Sequence, residues 1–143
     1  ARLVMEQAIN TTNIFIDEMI KAENVDINNT ILLGFSQGTM LSLHLAPRRD
    51  TALAGVVGFS GRLLEPESLE EEVKSKMPIL LVHGDSDDVV PFESLADAAN
   101  NLTMNGFTVY SHVAKGVGHG ISPDGLGTAL QFMNNMLGFV ESD

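Results

Sequence analysis

Three short stretches of the chain hold side chains suited to one kind of chemistry. Gly34-Phe35-Ser36-Gln37-Gly38 is a G-x-S-x-G pentapeptide. A serine hydroxyl is a weak nucleophile, so it needs exposure at a sharp turn and a base beside it. The two glycines remove side chains where a strand would turn abruptly into a helix. The same turn aims backbone N–H groups, including that of Gln37, at a developing oxyanion. A second stretch, His83-Gly84-Asp85-Ser86-Asp87-Asp88-Val89-Val90-Pro91, offers carboxylates. A catalytic imidazole has to be oriented and its positive form stabilised, which asks for one carboxylate on a fixed loop. Asp85, Asp87 and Asp88 compete for that role, and turn-forming or helix-capping duty accounts for the other two. His83 reads as a structural residue at a strand end. The third stretch, Gly116-Val117-Gly118-His119-Gly120, sets a histidine on a glycine-flanked loop. Histidine titrates near neutral pH, and such a loop lets it reach the serine as general base. His44 and His112 fall inside a helix and a strand, where packing or surface roles are the default.

These residues need elements to position them. From Leu3 to Lys21, Met5, Ala8, Ile9, Thr12, Phe15, Ile16, Met19 and Ile20 recur at helical spacing. Thr30 to Phe35 is a short, continuous apolar run that suits a strand buried on both faces. Gly38 to Ala46 reads as a helix stopped near Pro47. Leu53 to Phe59 is a second strand, Glu65 to Lys76 a polar connection with some helix, and Ile79 to Val82 a third strand. Pro91 opens a helix striped by Leu95, Ala98, Ala99 and Leu102 and stopped by Gly106. Thr108 to Val113 is a more polar, edge-type strand. Ser122 and Pro123 begin the last helix as N-cap and first residue, and its buried face is Leu126, Ala129, Leu130, Met133, Met136, Leu137 and Val140. Strands alternating with helices imply a parallel α/β sheet of four strands with helices on both faces. In such sheets reactive groups collect beyond the carboxyl ends of the strands. Ser36, the aspartates and His119 all fall there. Their order along the chain is that of α/β-hydrolases.

Composition narrows the partners. The 143 residues carry 8 basic and 19 acidic side chains, for a net charge of −11. That repels nucleic acid and anionic membrane surfaces. No apolar run approaches the roughly 20 residues of a membrane span. Ala1 to Asn10 lacks the basic start and apolar block of a signal peptide, so a cytoplasmic location is the expectation. With no cysteine there is neither a disulfide nor a thiolate nucleophile.

With these motifs in view, the sequence resembles the phospholipase/carboxylesterase family of the α/β-hydrolase superfamily, which includes small bacterial carboxylesterases and acyl-protein thioesterases. The resemblance rests on Gly34 to Gly38, His83 to Pro91 and Gly118-His119-Gly120, and it runs from the first helix to the end of the chain. It implies that nucleophile and base are Ser36 and His119. It also implies that the triad acid is the aspartate three residues after the H-G glycine, Asp87. Family members place several strands ahead of the nucleophile, including a loop that supplies a second oxyanion N–H. Here one helix precedes the first strand, so residues 1–143 are expected to be the carboxyl-terminal part of one α/β-hydrolase domain. The strand ending at Phe35 then becomes an unpaired apolar edge of the kind that recruits another chain. A homodimer, or association with the missing half, follows as an expectation.

The expected reaction is two-step hydrolysis of small to medium carboxylic esters, with no metal or organic cofactor. Residues 61–77 make too short a loop for a large lid. Phe35, Leu63 and Leu64 are the candidates to contact the acyl group, with core packing the competing role for the two leucines. Thioester and lysophospholipid substrates fit the same three residues. Two readings come from other classes: a metal-dependent phosphoesterase using Asp85, Asp87, Asp88, His83 and His119, and a non-catalytic interaction module.

Overall fold

The computed structural model describes residues 2–139, and helical spacing winds the first of them into α1 (Arg2–Glu23). Its inward stripe runs through Met5, Ile9, Thr12, Ile16 and Ile20. Phe15 and Met19, expected on that stripe, are exposed instead. The helix packs against another helix rather than lying flat on the sheet, and so covers a narrower arc.

Four strands follow, β1 (Ile31–Phe35), β2 (Gly55–Phe59), β3 (Ile79–Gly84) and β4 (Val109–Ala114), in the order β1-β2-β3-β4 and all parallel. The helices are α2 (Gln37–Leu45), a single turn α3 (Leu69–Glu72), α4 (Glu93–Met104) and α5 (Pro123–Leu137). When each strand is added on the same side of the last, right-handed crossovers put every connecting helix on one face. The cores follow that rule. Ile16, Leu43, Leu45, Leu69, Leu95, Ala98 and Leu102 from α1 to α4 pack with Val56, Ile79 and Leu81. On the opposite face, Ala129 and Phe132 of α5 cover Val57, Phe59, Leu80 and Val82.

Serving that second face alone turns α5 from its expected orientation. Ala129 is buried as expected and Met133 and Met136 are half-buried, but Leu126 and Leu130 are exposed while Gly125 and Phe132 turn inward. Gly125 sits so close to the sheet that a Cβ there would lie 3.1 Å from Val82 Cγ1, and this fixes which face of α5 points down. Val140 lies outside the described residues. The cap is as read: Ser122 Oγ accepts from Gly125 N–H at 3.1 Å. Pro91 does not open α4. It lies in the turn before the helix, where its carbonyl accepts from Ser94 N–H.

Both outer strands are edges among the described residues. β4 is half polar. β1 is not: Leu33 and Phe35, pointing to the α5 face, are 47% and 38% exposed. The apolar run that suits a doubly buried strand is therefore covered on one face and open along one side.

Gly84 ends β3 against the loop that carries His119. A Cβ there would lie 2.1 Å from Val117 O and 2.4 Å from Gly118 O. Gly84→Ala must push that loop away, and is expected to lose about 1–3 kcal/mol or more in urea unfolding. Gly38, the second glycine of the pentapeptide, has nothing within 4 Å of the added carbon. No collision demands it among the described residues. Gly38→Ala is expected to be neutral, or to gain up to about 1 kcal/mol from helix propensity.

Candidate active site

The tightness of the turn after β1 comes from Gly34. A Cβ there would meet Gly38 C and Thr39 N at 2.5 Å, so α2 can leave this close to the strand only with glycine present. Thr39, fully buried, fastens the helix start by donating to Phe59 O at 2.7 Å. Ser36 occupies the corner with φ 55° and ψ −113°, a conformation that costs a non-glycine residue about 1–3 kcal/mol. Its N–H donates to Phe59 O at 2.8 Å and its carbonyl accepts from Met40 N–H at 3.1 Å, so the corner is held from both sides. Gln37 is the first residue of α2, where the helix itself offers its N–H no acceptor.

The loop after β3 sorts the three aspartates. Asp85 Oδ1 accepts from Gly116 N–H at 2.8 Å and from Ser86 Oγ at 3.1 Å, tying its loop to the one that carries His119. Asp88 is exposed. The Asp87 side chain has no exposed surface. Its Oδ1 accepts from Val89 N–H at 2.8 Å and Val90 N–H at 2.9 Å, so the residue closes its own turn. Its Oδ2 faces His119 Nδ1 at 2.8 Å.

A carboxylate can only accept, so His119 Nδ1 carries a proton. In the neutral ring Nε2 is then an acceptor, and Ser36 Oγ lies 3.0 Å from it. Carboxylate, imidazole and hydroxyl thus form one hydrogen-bonded run across the loops after β3, β4 and β1. The Phe35 ring lies against His119, with centroids 4.9 Å apart. Leu63 packs on the core beside α4, and Leu64 lines a cavity of about 380 Å³ with Met5, Glu6, Ile9, His44, Glu65 and Glu72. Leu63 thus takes the packing role weighed for it, whereas Leu64 lies outside the core clusters. Among the described residues no three His, Asp or Glu side chains converge as a metal would need. Of the donors in the phosphoesterase reading, Asp85 is tied to Gly116 and Asp87 to His119. Sequence reasoning missed the backbone amides on Asp87 and the nearness of His83, whose Nε2 lies 3.3 Å from Asp87 Oδ2. The tendency of an aspartate to accept from backbone N–H groups two and three residues on was the available signal for the turn.

Burial pushes the Asp87 carboxyl up. The hydrogen bonds from His119, Val90 and Val89 outweigh burial and hold it below its ordinary range. A carboxyl depressed in the folded state adds stability that is complete above its unfolded value and disappears as pH falls through the folded one. Asp87→Asn keeps an acceptor for Val89 and Val90 but has nothing to titrate. The stability gap between wild type and Asp87→Asn, measured by urea unfolding, is expected to narrow as pH drops from about 5 to about 3.

Comparison with known proteins places this geometry. A family model described as Phospholipase/Carboxylesterase matches residues 3–137. The acyl-protein thioesterase 1 homolog 1 of Dictyostelium discoideum is 27% identical over 135 residues, covering 93% of this chain and 60% of that protein. Esterase PE8 superposes with a TM-score of 0.90 at 38% identity, over 93% of this chain and 62% of the esterase. SOBER1 of Arabidopsis thaliana superposes with a TM-score of 0.86 at 29% identity, over 93% and 64%. The chain therefore spans a little under two thirds of the length of these relatives. Because that family model matches residues 3–137, nearly the whole length, the chain belongs to the phospholipase/carboxylesterase family.

Proposed function

We propose that this chain is a serine carboxylesterase acting on small to medium carboxylic esters in the cytoplasm. The observation that carries the reading is the unbroken run Asp87 Oδ2–His119 Nδ1–His119 Nε2–Ser36 Oγ, at 2.8 Å and 3.0 Å. Ser36 Oγ attacks the ester carbonyl as its proton passes to His119 Nε2, and Asp87 stabilises the imidazolium. Gln37 N–H donates to the oxyanion. The alcohol leaves with the proton from His119. Water, deprotonated by the same nitrogen, then releases the acid from Ser36. Phe35, beside His119, borders the acyl group. Thioester hydrolysis uses the same steps with a thiol leaving group, and the name of the Dictyostelium relative supports testing it.

The reading also takes residues 1–143 as the carboxyl-terminal part of one α/β-hydrolase domain, for which the open side of β1 is the support. The open β1 edge favours a second role, pairing with a strand from a second copy or from another polypeptide.

Two measurements test these readings. After exposure to a fluorophosphonate, intact mass is expected to show one adduct on the chain and none on Ser36→Ala. A folded protein that gains no adduct would leave the interaction role in the lead. In sedimentation at micromolar concentration the chain is expected to run larger than a monomer, and Leu33→Lys to shift it toward monomer. A wild type that is already a monodisperse monomer would overturn the edge-pairing role.

A further inference from the structure

Deepening the esterase reading and resting on it, we propose that His83 is a positioning residue that holds Asp87 in register with His119. His83 is the penultimate residue of β3, is 2% exposed, and takes no part in the proton transfers above. Its Nε2 lies 3.0 Å from Val90 O. A carbonyl only accepts, so that nitrogen carries a proton and donates it to Val90 O, while the nitrogen itself lies 3.3 Å from Asp87 Oδ2. Val90 in turn gives its N–H to Asp87 Oδ1. Imidazole, Val90 and carboxylate therefore close a ring of contacts around the turn.

Each oxygen of the carboxylate then has its own constraint. Oδ1 is fixed by two backbone amides. Oδ2 faces His119 Nδ1 at 2.8 Å and has His83 Nε2 beside it at 3.3 Å. Without His83, the Val90 carbonyl loses its donor, the turn whose amides hold Oδ1 loosens, and Oδ2 can move off the Nδ1 axis of His119. The Phe92 ring, just ahead of α4, packs edge-to-face with His83, with centroids 6.0 Å apart at 71°, and braces the anchor. Because β3 and β4 pair His83 with Val113, the anchor and the strand leading to His119 move as one unit.

The test uses His83→Leu, which removes the donor, and His83→Gln, which offers an amide N–H at similar reach. Three readouts are taken on each: thermal melting, the low-field proton resonance of His119 Nδ1–H, and kcat and KM on an activated ester. In His83→Leu the resonance is expected to move upfield or broaden away, with kcat down about 10–100-fold, the range seen when a hydrogen-bond partner of a metal-bound ligand is lost, and KM little changed. His83→Gln is expected to restore most of both. A folded His83→Leu with wild-type resonance and kcat would overturn the proposal. If His83→Leu does not fold, a folded His83→Gln decides: a retained resonance supports the proposal, and a lost one overturns it. A wild type that shows the resonance but hydrolyses no ester would remove the esterase reading and leave the resonance to judge His83 alone.

Discussion

An imidazole can hold a hydroxyl and a carboxylate at once only when they sit on opposite sides of its ring, each within hydrogen-bond reach of one nitrogen. That constraint organises this molecule. Ser36 and His119 are 83 residues apart in sequence, and Asp87 and His119 are 32 apart. No local structure can bring them together. A parallel sheet does so because the carboxyl ends of its strands all lie at one end of the sheet. The spacing between strands then sets the spacing between loops. Gly34 brings α2 in close enough to aim Ser36, and Gly84 brings the His119 loop down onto β3. Asp85, bonded to Gly116 N–H, ties the two remaining loops to each other. The tolerances are small, because the contacts they set are 2.8 Å and 3.0 Å.

What the sequence made legible follows the range of the forces involved. Local chemistry was readable: the glycine–serine corner, the Ser122 cap with Pro123 behind it, and the strand cores of aliphatic residues. These depend on neighbours within a few positions. The helix faces were read less well for a specific reason. Phe15, Met19, Leu126 and Leu130 match a helical period, but period gives the existence of an apolar stripe and not its width or its partner. Gly125 settled the orientation of α5 by allowing close approach to Val82, and a glycine contributes nothing to a hydrophobic stripe. Spacing alone also left Asp85, Asp87 and Asp88 equivalent. The distinction lies in burial and in the Val89 and Val90 amides, which arise only once the turn has formed.

The distribution of helices explains the character of the surface. Winding the strands in one direction crowds four helices onto one face and leaves α5 to cover the other. That single helix shields Val57, Phe59, Leu80 and Val82 but not the outermost strand, so Leu33 and Phe35 stay open beside the candidate site. Ser36 therefore stands at the boundary between a well-packed interior and an unpaired edge. The same openness that bares the strand beside Ser36 leaves that strand able to pair. A net charge of −11 keeps like surfaces apart elsewhere on the molecule, which concentrates any association at this neutral, apolar strip.

Ser36 and His119 are proposed to act as one chemical unit, and a double-mutant cycle measures that directly. Initial rates on an activated ester would be compared for wild type, Ser36→Ala, His119→Ala and the double variant. If the two side chains work through a shared proton transfer, either single change should abolish the step, and the double variant should be no slower than the slower single one. Losses that multiply, or a His119→Ala variant as fast as wild type, would contradict the account.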